Sequence, residues 1–398
     1  MSTELGILLL LSLATAVAIA TTRLRVPYTV VLVVVGTALG AGHLSSPIHL
    51  TKDLLYAVFL PGLIFEAAYN LTVTELRQNL RAIFALAVPG VLLAMGATAG
   101  ILVFSTQALS STARLGWSHA LVFSALIAAT DPIAVVALFK TLGAPRRLSV
   151  LIEGESLVND GTAAVLYTIV LGAVAGPARV TLAAGALDFV IVVGGGAIIG
   201  VALGYFASGL RRAAAAPMIE IALTTLAAYG SFALAERLHV SGIIATLTAG
   251  VVCRAKAKPE VCSESTQLAV DGFWSYAAFV LNSLVFLLIG FEVKLPALLA
   301  AWWPIVLAFI AVNLGRAAVV FVVSLALRRT KERIPFSHGV ILTWGGLRGA
   351  LSMVLALAIP DSLPERELIV TTTFGVVVLS ILLQGLTTGP LLRRLRIV

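Results

Sequence analysis

Residues 154–160, with the sequence GESLVND, place two carboxylates, one hydroxyl and one amide within two turns of a predicted helix. On a helix, Ser156 and Asp160 are four residues apart and share one face, while Glu155 and Asn159 share the neighbouring face. One face therefore offers carboxylate and hydroxyl oxygens to a cation. The other face carries a carboxylate and an amide that can fix the surroundings of that cation.

A second group of oxygen ligands is expected at Thr130-Asp131-Pro132. Proline has no N–H and its ring clashes with the preceding helical turn, so the carbonyl groups just before Pro132 lose their helical partners. Carboxylate, hydroxyl and freed carbonyl oxygens are the ligands that a hard, partly dehydrated alkali cation prefers. The two segments together predict an alkali-cation site that includes Asp131 and Asp160.

Both aspartates can also bind protons, because burial disfavours the charged form of a carboxylate. A carboxylate that takes either a proton or a cation, but not both, couples the movement of one to the movement of the other. The residues therefore favour cation/proton exchange over catalysis on an organic substrate.

The amino-acid composition indicates that these residues belong to a membrane protein. Hydrophobic residues make up 60% of the 398-residue chain, charged residues only 12%, and the mean hydropathy is +1.05. An average soluble protein has about 25% charged residues, so a soluble enzyme is excluded. The net charge of +8 comes from scattered basic residues without an extended basic stripe, which argues against a nucleic-acid partner.

Apolar runs long enough to cross roughly 30 Å of hydrocarbon predict an all-α polytopic protein with 13 transmembrane helices. The span at 240–253 is the shortest of these runs, and a count without it gives 12. The predicted spans lie near 5–22, 27–42, 53–70, 82–105, 117–140, 149–175, 182–209, 217–236, 240–253, 272–291, 299–327, 336–359 and 367–391.

The distribution of basic residues predicts the orientation. With the N-terminus outside, 19 of the 27 Lys and Arg residues fall on the cytoplasmic side and six fall outside. This asymmetry agrees with the positive-inside rule and places the C-terminus in the cytoplasm. Few residues follow the last span, so no sizeable cytoplasmic regulatory domain is expected.

An odd number of spans suits an inverted repeat in a single transmembrane domain, with a first repeat at about 5–175, a linker helix at about 182–209 and a second repeat at about 217–391. The fifth spans of the two halves are both interrupted, one at Asp131-Pro132 and the other at the glycine-rich segment 345–349. Paired interruptions in corresponding helices indicate a transporter's site near the midplane.

Six ionisable residues fall deep within the predicted spans, and each costs at least roughly 2.5–3.5 kcal/mol to insert. Ion pairing that only joins helices could account for two of the four acids, which leaves two carboxylates for an ion or proton pathway. The six are Glu66, Asp131, Glu155, Asp160, Arg316 and Arg348.

Five segments together resemble the monovalent cation/proton antiporters, in the branch of bacterial NhaP-type and animal Na+/H+ exchangers. The similarity spans nearly the whole chain, and the third of these segments is the most specific. The segments are LPGLIFEAAYN (60–70), ATDPIAVVALFK (129–140), EGESLVNDGTAAVLY (153–167), LVFLLIGFEV (284–293) and TWGGLRGALSMVLA (343–356).

This resemblance implies a 13-span fold with a six-helix inverted-topology repeat, a dimerisation domain and a mobile core domain. Two broken helices, containing Thr130-Asp131 and the segment 345–349, would cross in the core. It also implies a homodimer in the bacterial plasma (inner) membrane, with Na+ or Li+ and H+ as transported ions. No cofactor and no enzymatic activity are expected.

The resemblance further implies a role for each buried polar residue. Asp160 would be the essential ion-binding carboxylate, with Asp131, Ser156 and the Thr130 carbonyl beside it as Na+ ligands, and Glu66 would lie near the site. Asn159 stands where electrogenic relatives have an additional Asp, which implies an electroneutral exchange of one cation for one proton. Glu155 would pair with Arg316, and Arg348 would stabilise the broken helix.

Two other functions remain as alternatives. One is K+/H+ exchange by the same fold, since cation preference depends on fine cavity geometry. The other, more remote, is an intramembrane aspartyl protease, which also uses two buried aspartates. Such proteases have a glycine directly before one aspartate, and no Asp of this sequence follows a glycine.

Overall fold

The apolar runs of the sequence form helices, because only internally hydrogen-bonded segments satisfy backbone groups inside a bilayer. A computed structural model describes residues 3–24, 27–42, 51–108, 116–176, 181–210, 216–257 and 263–398. Within these residues the regular elements are helices, and the one β-type pairing is an isolated bridge between Asp131 and Leu347. The predicted all-α class is therefore confirmed.

Twenty α-helices occur in the described ranges, and two π-helical segments, Leu55–Phe59 and Ser380–Gln384, lie between them. The α-helices are α1 (Thr3–Leu24), α2 (Tyr28–Ala41), α3 (Lys52–Leu54), α4 (Leu60–Asn70), α5 (Val73–Gln78), α6 (Leu80–Ala87), α7 (Pro89–Ala108), α8 (Trp117–Leu126), α9 (Ile133–Leu142), α10 (Arg146–Ala175), α11 (Leu182–Leu210), α12 (Pro217–Arg237), α13 (Gly242–Lys256), α14 (Glu264–Glu292), α15 (Leu295–Ala300), α16 (Trp302–Leu327), α17 (Phe336–Trp344), α18 (Ala350–Leu357), α19 (Arg366–Leu379) and α20 (Gly385–Arg394).

Seven helical stretches of the described chain are long and apolar enough to cross a membrane on their own. Five shorter apolar helices, including α2, α8 and α9, add to these. The chain is therefore a multi-pass membrane protein, while the count of 13 spans stays a prediction. Several predicted spans consist of pieces, because a break divides them; the span 117–140 forms α8 and α9, and the span 336–359 forms α17 and α18.

The chain divides into two compact units, each assembled from separate stretches of sequence. The first comprises residues 1–52, 81–179 and 283–398, and the second comprises 53–80 and 180–282. Their boundaries do not coincide with the limits of the two predicted repeats, because each unit takes segments from both halves of the chain.

In the second unit, α11 and α13 pack closely because glycines line their contact. A Cβ atom added to Gly204 would lie 2.9 Å from Val252, and one added to Gly200 would overlap the carbonyl of Ala245. Small residues of this kind let membrane helices approach closely. A buried cluster that includes Phe65 and Trp274 forms the core of this unit.

In the first unit, α10 packs against α7, α8, α9 and α18, and its buried residues extend from Leu148 to Tyr167. Gly154 lets it approach α6, since a Cβ there would lie 2.6 Å from Ile83. The helix therefore carries the segment 154–160 into the interior of this unit.

Candidate ion-binding site

Two interrupted helices meet in the first unit. Helix α8 ends at Leu126 and α9 begins at Ile133, while α17 ends at Trp344 and α18 begins at Ala350. The extended segments between them pair, because the backbone N–H of Asp131 donates to the carbonyl of Leu347 at 2.7 Å. Both interruptions predicted from the sequence are therefore present, and they contact each other.

Glycines make this close pairing possible. A Cβ on Gly349 would lie 2.5 Å from the Cβ of Asp131, and a Cβ on Gly346 would overlap the guanidinium of Arg316. The glycine-rich segment is thus explained by crowding from side chains on neighbouring elements. Its backbone conformation does not require glycine, since the φ of Gly349 is −127°.

Side chains of α10 hold the first break in place. The Ser156 hydroxyl donates to the Thr130 carbonyl. The Asn159 amide donates to the Ala128 carbonyl at 3.0 Å and to the Thr130 hydroxyl oxygen at 3.0 Å. The structure therefore brings together the two segments that the sequence identified separately, and Asn159 satisfies groups that the break leaves without helical partners.

The two aspartates face this junction. Asp131 accepts from the backbone N–H of Ile133 at 3.0 Å, at the start of α9. Asp160 lies close enough to Asp131 for direct electrostatic interaction, and the backbone N–H of Thr130 faces its carboxylate. Its Oδ1 atom has no hydrogen-bond donor among the described residues. Asp131 and Asp160 are partly exposed, whereas Ser156 is buried.

The ligands available here suit an alkali cation better than a transition metal. Within the described ranges, no three or more His, Cys, Asp or Glu side chains are grouped to hold a metal ion. The junction instead offers two carboxylates, the Ser156 hydroxyl and the Thr130 carbonyl, which are hard oxygen ligands of mixed type.

Glu155 and Arg316 form a buried bidentate ion pair. The Nη1–Oε1 distance is 3.0 Å and the Nη2–Oε2 distance is 2.9 Å. The Nε of Arg316 also donates to the Leu342 carbonyl at 2.9 Å, in the last turn of α17. One arginine thus joins α10, α16 and the end of the second broken helix.

Arg348 lies in the break of the second broken helix, and its side chain donates hydrogen bonds to the first broken helix. Its Nη1 donates to the carbonyls of Ala128 and Ala129 at 2.8 and 3.2 Å. These carbonyls lie just past the end of α8, where helical donors are missing. The guanidinium therefore satisfies backbone groups that would otherwise be costly to bury.

A chain of polar contacts behind Arg348 was not predicted from the sequence. The Arg348 backbone N–H donates to the Ser380 hydroxyl at 2.9 Å, and that hydroxyl donates to Gln384 Oε1 at 2.5 Å. Gln384 Nε2 then donates to Asn313 Oδ1 at 2.7 Å. Ser380 and Gln384 are polar residues four apart in an apolar span, and this spacing was the available signal.

A cavity of about 30 Å³ lies beside Asn159, between α7, α8, α10 and α16. Ser124 Oγ and Asn159 Oδ1 line it, and neither has a hydrogen-bond partner among the described residues. The guanidinium-bearing residues Arg316 and Arg348 line it as well. A cavity of this size with polar walls can accommodate a single water. Ser124 was not identified from the sequence.

Glu66, the remaining predicted site residue, belongs to the second unit. It lies on α4 and accepts a hydrogen bond from the Asn70 amide at 2.6 Å. Its predicted nearness to the ion site stays a prediction. The other eight predicted residues belong to the first unit.

Comparisons with known proteins agree over almost the full length. Residues 8–394 match the family described as "Sodium/hydrogen exchanger, transmembrane". The chain is 36% identical over 379 residues to the low-affinity Na(+)/H(+) antiporter NhaS1 of Synechocystis sp., covering 94% of this chain and 70% of that protein. It is 39% identical over 354 residues to the Na(+)/H(+) antiporter NhaP of Pseudomonas aeruginosa, covering 86% and 81%.

The fold is similar to that of the sodium proton antiporter MjNhaP1 from Methanocaldococcus jannaschii, solved at pH 8. The TM-score is 0.80 at 19% identity, and the match covers 99% of this chain and 98% of that one. At this identity the similarity concerns the fold alone.

Proposed function

Because the chain belongs to the family of transmembrane sodium/hydrogen exchangers, we propose that it exchanges Na+ for H+ across the bacterial plasma membrane. Proteins of this family are transporters rather than enzymes. The curated relatives named above are Na+/H+ antiporters, which supports the choice of ions. Li+ is expected to replace Na+ as a transported cation.

The observation that carries this proposal is the junction of the two broken helices with α10. Asp160 presents a carboxylate oxygen without a hydrogen-bond donor among the described residues, beside Asp131, the Thr130 carbonyl and the Ser156 hydroxyl. These four residues are the proposed Na+ ligands. A partly exposed carboxylate in this position can bind either a cation or a proton.

The proposed mechanism is competition at Asp160. The deprotonated carboxylate takes Na+ on one side, a conformational change exposes it to the other side, and a proton there displaces the cation. The protonated carrier then returns. The unloaded, charged form crosses slowly, because an uncompensated carboxylate is costly in the membrane interior.

The remaining polar residues have supporting roles in this mechanism. Asn159 positions the break between α8 and α9 and adds no titratable group, so one cation is exchanged for one proton. Glu155 and Arg316 form a structural ion pair, and Arg348 stabilises the broken helix. Glu66 lies near the ion path in this mechanism.

The larger arrangement follows the resemblance and the charge distribution. We infer an N-terminus outside, a cytoplasmic C-terminus and a homodimer. Within one transmembrane domain, the first repeat, the linker helix and the second repeat lie at about 5–175, 182–209 and 217–391. A dimerisation domain and a mobile core domain are proposed within this arrangement.

Transport assays in proteoliposomes test the proposal. Pulses of Na+, Li+ and K+ are added at several pH values while an internal dye reports proton movement. Na+ and Li+ should move protons, and the KM for Na+ should rise as the pH falls, because protons occupy the same carboxylate. Proton movement with K+ alone would replace Na+ by K+ as the substrate. A Na+ KM that is independent of pH would contradict competition at one site.

A further inference from the structure

An apolar groove lies in the first unit between α16, α17 and α20, and no residue of the candidate ion site lines it. Its volume is about 590 Å³. Each helix contributes residues three, four or seven positions apart, which share one helix face. Phe321, Phe336, Gly339, Trp344, Thr387 and Arg394 are among the lining residues.

The groove opens to the outside of the chain. Phe336 is 85% exposed and Phe321 is 67% exposed. Phe321 lies within α16, a helix that is long and apolar enough to cross the membrane, so its exposed ring faces the lipid. The lining is therefore accessible to hydrocarbon chains of the bilayer.

One end of the groove is positively charged. Arg394 lies in the last turn of α20 and is exposed. Helix α16 ends and α17 begins near this end of the groove, and the segment 328–335 between them carries four basic residues. Its one acidic residue, Glu332, accepts a hydrogen bond from the backbone N–H of Ala82 at 2.9 Å. The positive-inside distribution predicts that this end faces the cytoplasm.

We propose that this groove binds an anionic phospholipid of the cytoplasmic leaflet, with an acyl chain along the apolar lining and the phosphate at Arg394. The guanidinium donates two parallel hydrogen bonds to phosphate oxygens. Basic pockets between transmembrane helices on the cytoplasmic side are suited to anionic headgroups. Neither the apolar lining nor the arginine is used by the ion site.

The inner end of the groove adjoins the second broken helix. Trp344 is the last residue of α17, and its indole N–H donates to the Thr387 hydroxyl at 2.8 Å. Both residues line the groove. A bound acyl chain therefore packs against the contact that joins α17 to α20.

Native mass spectrometry of the purified full chain in detergent tests this proposal. It measures how much dioleoyl-phosphatidylglycerol and how much dioleoyl-phosphatidylcholine the protein retains. The unmodified protein should retain the anionic lipid in preference to the zwitterionic one. Arg394→Gln should weaken phosphatidylglycerol binding about fivefold, the effect of one basic residue near an anionic surface. Arg393→Gln is the matched control, since Arg393 adjoins Arg394 but does not line the groove, and it should behave as the unmodified protein.

A second variant tests the acyl chain separately from the charge. A Cβ at Gly339 meets Val320 and Ser324 only at 3.5 and 3.7 Å, so Gly339→Leu can fold while its side chain fills the groove. It should reduce retention of phosphatidylglycerol, and glycerol 3-phosphate without acyl chains should not compete. Equal retention of both lipids, equal effects of the two arginine variants, or full retention by Gly339→Leu would each overturn the proposal. These measurements use no cation gradient, so their outcome is independent of the proposed exchange activity.

Discussion

Asn159 and Asp160 are adjacent in sequence, yet their polar atoms meet different surroundings. The Asn159 amide donates to Ala128 and Thr130, so it maintains the shape of the break. The Asp160 carboxylate instead lies beside that of Asp131, close enough for direct electrostatic interaction. In the proposed mechanism, positioning of the break and ion binding therefore belong to two neighbouring residues of one helix.

Asp160→Asn should abolish Na+-dependent proton movement while the protein remains folded, because the amide is similar in shape but cannot exchange a proton for a cation. Transport in proteoliposomes and the elution profile of the purified variant measure the two effects. Asp188→Asn, at an exposed position of α11, is the control and should transport normally. Full exchange by Asp160→Asn would end the proposed mechanism.

Arg316→Ala should destabilise the protein by roughly 3–5 kcal/mol, since it leaves Glu155 buried without its bidentate partner. Thermal unfolding in detergent measures this effect. Arg254→Ala offers a comparison, because Arg254 makes one 3.2 Å ion pair with Asp271 and lies over the Tyr69 ring at 5.3 Å, and the side chains of the ion pair are partly exposed. Its effect should be about 1–2 kcal/mol, smaller than that of Arg316→Ala. Similar melting temperatures for the two variants would argue against a structural role of the Glu155 pair.

Residue types and spacing predicted most of the residues that the structure brings together at the junction, because each charge inside an apolar span is costly to insert. Asp131, Asp160, Glu155, Arg316 and Arg348 were identifiable on that ground. Neutral polar residues give a weaker signal, since a serine or amide in a span can also bond to its own helix. Ser124 and Gln384 could therefore be identified only from the structure, which shows which helices face them.

At the scale of elements, the pairing of the two breaks depends on the absence of a Cβ atom at Gly346 and Gly349. Gly349→Ala should reduce transport strongly, because the added Cβ would lie 2.5 Å from the Asp131 carboxylate and side-chain carbon. The transport rate and the thermal stability are the measurements. Gly96→Ala on α7, where a Cβ meets nothing within 4 Å, should leave both nearly unchanged. Normal transport by Gly349→Ala would show that the segments can separate without loss.

The polar chain through Ser380, Gln384 and Asn313 should stabilise the second broken helix as a unit. Gln384→Leu should lower the free energy of unfolding by about 1–3 kcal/mol, since it leaves the buried polar atoms of its neighbours unpaired. Asn313→Leu alone should also destabilise, and the double variant should cost less than the sum of the two. Additive effects in this double-mutant cycle would contradict a connected network.

Sequence patterns predicted where elements break but not every irregularity within them. Pro132 gives a direct steric reason for an interruption, and the glycines of the run 345–349 disfavour a helix because of their conformational freedom. The π-helical segments Leu55–Phe59 and Ser380–Gln384 do not, because they arise within continuous apolar runs. Such segments depend on how neighbouring helices pack and often occur at functional sites, so hydropathy alone does not locate them.

At the scale of the whole molecule, the exchange should carry no net charge. In the proposed mechanism each cycle moves one cation one way and one proton the other, because Asn159 contributes no second titratable group. A membrane potential imposed on proteoliposomes should therefore neither drive nor slow Na+ uptake at a fixed pH gradient. Isotope flux with and without the potential measures this. Na+ accumulation driven by the potential alone would require a different stoichiometry.

The composition was sufficient to predict a multi-pass helical membrane protein, since 60% hydrophobic residues cannot be covered in water. The two compact units were less predictable. Residues 53–80 of the first half join 180–282 in one unit, and such long-range association depends on which helix faces are complementary. The two repeats predicted along the sequence and the two compact units of the structure therefore divide the chain at different residues.

The bond between the Asp131 N–H and the Leu347 carbonyl involves main-chain atoms alone. Substitution can alter the neighbouring side-chain oxygens one at a time while this main-chain bond persists, provided that Gly346 and Gly349 are kept. Variants with altered side-chain oxygens are therefore expected to prefer a larger or smaller cation while the pairing of the two broken helices stays intact.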